Sequence, residues 1–141
     1  MYLIDTDCLS ILQRQTQPEF ARLHARMASH PTERFFLSIV SFHEQVLGWT
    51  TYLSRAKDAR ATVRAYEMLM LILTDFKAGQ VLAFDEAASH VFEIMRNQRV
   101  RLATMDLRIA STALSRQMTV ITRNVVDFRK VPGLRVENWT V

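Results

Sequence analysis

The feature that most constrains this chain is a set of apolar runs too short for helices and too continuous for half-exposed strands: Tyr2-Leu3-Ile4, Phe35 to Val40, Val81 to Phe84 and Thr119 to Thr122. A strand with water on one face alternates polar and apolar residues; these runs do not, so both faces are expected to be buried. That happens when helices cover both sides of a parallel sheet and the crossovers are right-handed. The intervening stretches supply the helices. Thr6-Asp7 caps one over Cys8 to Arg14, and Phe20, Leu23 and Met27 place a second at helical spacing. Others run from Ser41 to about Leu53, from Ala56 to Phe76 with Gly79 closing it, from Asp85-Glu86 through about Arg99, and from Thr104 to Gln117. Leu134-Arg135-Val136 adds an edge strand. The expected fold class is α/β, a three-layer α/β/α sandwich with a mainly parallel sheet of four to five short strands. With three Gly, three Pro and no linker-like tract, residues 1–141 read as a single domain.

Composition excludes several classes. The chain is 49% hydrophobic and 23% charged, which suits a packed core and not a disordered or fibrous chain. Cys8 is the only cysteine, so no internal disulfide or thiolate metal site is expected and a reducing, cytoplasmic setting follows. The longest clean apolar run, Met68 to Leu73, falls far short of the ~20 residues of a membrane span, and the N-terminus lacks a basic, signal-like segment, so no membrane partner is expected and Met1 is read as the mature start. The net charge is +4, carried mostly by arginine, whose planar fork suits phosphate and carboxylate.

In open α/β sheets, ligands gather beyond the carboxyl ends of the strands. Asp5 ends the first strand, Glu44 lies just past the second, Asp106 stands in the first turn of the helix before the fourth, and Asp127 follows the fourth. Each has a structural role open to it: Asp5 as a helix cap, Glu44 as the partner of Ser41 in a capping box, Asp106 at a helix dipole, Asp127 in a turn. Jointly, Asp5, Glu44 and Asp106 are expected to share one small volume at one sheet edge. Clustered carboxylates repel, so a cation must offset them, and oxygen donors without thiolates or paired histidines point to magnesium or manganese.

Four segments carry a resemblance: Leu3-Ile4-Asp5-Thr6-Asp7, Ser38 through Glu44 with Gly48, Met105-Asp106 through Ala113, and Thr122-Arg123-Asn124 through Asp127-Phe128. In this order and spacing they resemble the PIN-domain ribonucleases, specifically the VapC-type toxins of toxin–antitoxin pairs, and Pro132 to Trp139 is similar to the tail of that group. Asp7 stands where relatives usually carry an amide, and the stretch before Asp106 lacks their Gly/Pro-rich loop. The resemblance implies a PIN-like domain that hydrolyses RNA phosphodiester bonds with Mg²⁺, or Mn²⁺. Asp5, Asp106 and Glu44 would be metal ligands, and Asp127 or Asn124 the fourth member of the site. Thr6, Thr122, Asn124, Arg123 and Arg108 are candidates for holding substrate.

The implied partners are RNA, a second copy of the chain in a homodimer, and a small antitoxin that occupies the groove and blocks the site. Trp49 and Tyr52, after Glu44, are either base-stacking or core aromatics. The competing possibility is a catalytically inactive PIN-like module that binds RNA or protein without a metal.

Overall fold

The computed structural model describes residues 1–141. Five strands, β1 (Tyr2–Ile4), β2 (Phe35–Ser38), β3 (Val81–Leu82), β4 (Thr119–Ile121) and β5 (Arg135–Glu137), form one sheet in the order β3-β2-β1-β4-β5. Every pairing is parallel, with Leu3 opposite Phe36 on one side and Val120 on the other. The chain steps outward from β1 through β2 to β3, then returns to lay β4 on the free edge of β1. The direction of winding therefore reverses at β1, and the carboxyl ends of β1 and β4 flank the crevice that such a reversal opens.

Alternate strand residues feed two cores. Leu3, Phe36 and Val120 pack with Phe92 and Met95 of α5 (Glu86–Asn97) and with Leu107, Ile109 and Ala110 of α6 (Thr104–Ser115). Ile4, Leu37 and Ile121 face the other way, onto Cys8 and Ile11 of α1 (Thr6–Arg14), Leu23 of α2 (Glu19–Ala28) and Ile72 and Phe76 of α4 (Ala59–Ala78). The three-layer sandwich and mainly parallel sheet are as expected from the unbroken apolar runs. No helix is long and apolar enough to cross a membrane.

Two boundaries differ from the sequence expectation for physical reasons. The second strand stops at Ser38, and α3 (Ile39–Ser54) takes Ile39 and Val40 from it, because the buried Ser38 hydroxyl caps the helix by accepting from the Val40 amide at 3.0 Å. Ser41 and Glu44 thus lie inside the helix and do not form its capping box. Similarly, α1 begins at Thr6, so Thr6 and Asp7 are its first residues and not its caps. A short helix, α7 (Val125–Phe128), follows β4.

Candidate active site

Asp5 is delivered to the switch point by β1 and occupies the N-cap position of α1, yet its carboxylate makes no capping hydrogen bond. Instead it turns to the next strand, where the buried Thr122 hydroxyl donates to its Oδ2 at 2.8 Å. Its other oxygen, Oδ1, is the only buried side-chain nitrogen or oxygen in the chain without a hydrogen-bond partner. A carboxylate that is 4% exposed with one bare oxygen is costly to ionise. Burial, followed by the negative charge of Asp7, pushes the Asp5 carboxyl up to about 8.

The other acids reach the same place from different elements. Glu44, on the second turn of α3, accepts from the Thr6 hydroxyl at 2.9 Å, and Thr6 Oγ1 also lies 2.9 Å from Ser41 Oγ. Asp106 stands in the first turn of α6. Both carboxyls are raised above the ordinary range, chiefly by burial; Asp106 lifts Glu44 further, and Asp7 lifts them both. Asp5, Glu44 and Asp106, with Thr6, Asp7, Ser10 and Asn124, line one cavity of about 320 Å³ that has no apolar residue in its walls.

Asp5, Glu44 and Asp106 share one small volume, as the sequence leads one to expect, though not as a closed ligand set. No three His, Cys, Asp or Glu side chains stand together as a metal-holding group. Two of the acids are tethered separately, Asp5 to Thr122 and Glu44 to Thr6, and like charges gain nothing by closing up. What the cavity does offer is an all-oxygen donor set with a bare carboxylate oxygen at its most buried corner. Those donors fit a hard divalent cation better than zinc.

Asp7 is the member that sequence reasoning left open. Its Oδ2 accepts from the Arg123 amide at 3.1 Å, and its Oδ1 lies 3.5 Å from Thr122 Oγ1, so it links the start of α1 to the end of β4. The signal was the third residue of Asp5-Thr6-Asp7, but its contact depends on the β1–β4 pairing. Asp127 sits apart from the cavity lining, accepting from Lys130 Nζ at 2.7 Å and from Asn124 Nδ2 at 3.0 Å, and these bonds hold its carboxyl below the ordinary range. Asn124 is therefore the cavity residue and Asp127 the group that orients it. Arg123 is exposed, while Arg108 lies over the Phe92 ring at 5.7 Å and lines a hollow with Ile39, His43 and Phe84 on the far side of α3.

Residues 2–134 match the PIN domain family. The chain belongs to that family, in its VapC-type toxin–antitoxin branch. It is 38% identical over 143 residues to a tRNA(fMet)-specific endonuclease VapC of Salmonella typhimurium, covering 98% of this chain and 97% of the relative. Among solved structures, the DNA-bound VapBC of Salmonella typhimurium is similar at a TM-score of 0.75 and 22% identity, covering 98% of this chain and 97% of that one. FitAcB of Neisseria gonorrhoeae is similar at 0.70 and 25%, covering 98% and 97%. This PIN domain thus keeps the family's fold over nearly its whole length, with its acidic cavity at the sheet's switch point.

Proposed function

We propose that this protein is a metal-dependent endoribonuclease, the toxin of a toxin–antitoxin pair, acting as one nuclease domain over residues 1–141. The observation that carries this is Asp5: a carboxylate sealed at the switch point, with one oxygen unpartnered, in a cavity shared with Glu44 and Asp106. Asp5 and Asp106 would hold Mg²⁺, or Mn²⁺, directly, and Glu44 would do so directly or through water. When bound, such an ion supplies positive charge against the phosphate oxygens and lowers the pKa of water. The chain's own groups then position the substrate. Thr122 fixes Asp5 through Oδ2 and leaves Oδ1 as the free donor oxygen. Thr6 and Asn124 line the cavity with groups able to hydrogen-bond a phosphate, with Asp127 orienting the Asn124 amide. Arg123, exposed beside them, offers a guanidinium to a phosphate, and Arg108 is placed to meet only a more distant part of an RNA.

RNA as substrate is supported by the Salmonella relative, which is a tRNA-specific endonuclease. An antitoxin partner is supported by the structural neighbours, one of which is the Klebsiella pneumoniae toxin–antitoxin complex. A homodimer is proposed as the assembly. The test is purified protein on total RNA with Mg²⁺ or EDTA, with cut ends mapped. Cleavage is expected with Mg²⁺, none with EDTA, and a loss of roughly a hundredfold or more in Asp106→Asn. Cutting that survives both EDTA and the substitution overturns the metal mechanism.

A second reading, an inactive PIN-like module that binds RNA or protein, is favoured by the absence of a gathered three-ligand group. RNA binding without Mg²⁺-dependent cutting would select it.

A further inference from the structure

Gly48 has no reason within the fold to be glycine. It lies in the interior of the sixteen-residue helix α3, where glycine is a poorer helix former than alanine. Its backbone is not in the left-handed region, and a methyl group built on it meets nothing within 4 Å outside its own helical turn. It is exposed, and it lines two hollows at once. The first, about 400 Å³, shares Thr6, Ser10 and Glu44 with the acidic cavity. The second, about 470 Å³, continues past Gly48 and Tyr52 to Arg55 and Lys57. Gly48 and Tyr52 are common to both, so the two adjoin as one groove that runs from the carboxylates to an end where Arg55 and Lys57 stand with one acid, Asp58, whose carboxylate caps the Ala61 amide.

The walls say what suits that groove. Only three of the ten residues around the first hollow are apolar, too few to seat the apolar face of a helix, and Glu44 is its only acid. Trp49 carries two guanidiniums over its ring, Arg14 at 5.3 Å and Arg64 at 5.6 Å, and meets Tyr52 edge-on at 5.1 Å. Trp49 and the exposed Tyr52 near the carboxylates, with Arg14 in the first hollow and Arg55 and Lys57 in the second, set rings and cations along one path, the pattern a single-stranded nucleic acid uses, bases on the rings and phosphates on the charges.

We propose that this groove is the track for the single-stranded RNA flanking the cut site, and that Gly48 lacks a side chain so that the strand's backbone can pass close over α3. The inference rests on the ribonuclease reading for the acidic cavity and adds the path by which substrate reaches it.

The test measures binding and stability together, in EDTA so that no metal-dependent cutting intervenes. A fluorescein-labelled, mixed-sequence single-stranded RNA of about twelve nucleotides is titrated by anisotropy against wild type, Gly48→Ala and an Arg55→Gln/Lys57→Gln double variant, and each protein is melted. Gly48→Ala is expected to raise Tm by about 3 °C while weakening RNA binding about tenfold. The double variant is expected to flatten the slope of log affinity against log salt by about 1.4. Wild-type protein that binds no RNA, or Gly48→Ala binding as wild type, overturns the track. So does a fall in Tm that accompanies the lost affinity, since Gly48 would then serve the fold. Unchanged RNA affinity with lost affinity for an apolar helical peptide assigns the groove to a protein instead. Adding Mg²⁺ separates the two claims: RNA bound through Gly48 but never cut sinks the ribonuclease reading alone, and RNA cut with Gly48→Ala binding normally sinks the track alone.

Discussion

At the residue scale, Asp5 is the buried carboxylate whose ionisation the fold makes costly. Its carboxyl keeps its proton up to about 8, well above where the unfolded chain would lose it. Between the ordinary carboxylate range and that value the folded state binds more protons than the unfolded one, so metal-free stability falls as pH rises through the window. Glu44 and Asp106, both raised, act in the same direction. Asp5→Asn removes the charge and keeps an oxygen for Thr122. In EDTA at pH 8 it is expected to be more stable than wild type by about 1–3 kcal/mol, with a flatter dependence between pH 5 and 8, read from thermal melts. A variant as pH-sensitive as wild type would place the source elsewhere. That Asp5, Glu44 and Asp106 would meet was legible from the sequence, because a parallel sheet brings its strand ends and the helix starts beyond them to one edge. Asp7's bond to the Arg123 amide was not, since it spans 116 positions and exists only once β4 lies beside β1.

At the scale of elements, strands were more legible than helix starts. A run such as Tyr2-Leu3-Ile4 has no competing interpretation, but Ile39 and Val40 are apolar and β-branched and read equally well as the end of β2 or the start of α3. The Ser38 hydroxyl decides, and its consequence reaches the site: starting the helix early puts Ser41 and Glu44 on the turn that meets Thr6. Ser38→Ala leaves the Val40 amide unpaired in a buried place and is expected to cost about 1–2 kcal/mol, while Ser38→Thr, which keeps the oxygen, costs less. Thermal melts of the two variants check this; equal losses would mean that side-chain size at the site matters and the cap does not. Gly79 is the complementary case. It was expected as a helix end, and its lack of a side chain also serves contact, since a Cβ there would come within 3.0 Å of Leu37 Cδ1.

At the scale of the whole molecule, charge is divided against itself. Apart from Asp5, Glu44, Asp106 and Asp127, the chain carries 18 basic side chains against 10 acidic ones, a balance that suits a polyanion, while three of those four acids line a single cavity. A divalent cation would reconcile the two, drawing phosphate toward carboxylates that otherwise repel it. Binding only the folded state, it would add stability as RT ln(1 + [L]/Kd), about 2.7 kcal/mol at a hundred times Kd, or roughly 5–10 °C in Tm for a chain of this size. Protons compete for the same oxygens, so the gain should be larger at pH 8 than at pH 5, opposing the decline of the metal-free protein over that range. Wild type melted with saturating Mg²⁺ should therefore be far less sensitive to pH than in EDTA. Asp5→Asn and Asp106→Asn should lose the Mg²⁺ gain, and Glu67→Gln, exposed on α4 and outside the cavity, should keep it. A gain that is the same at both pH values, or that survives in Asp5→Asn, would put the cation somewhere other than this cavity and leave the acids without the role proposed for them.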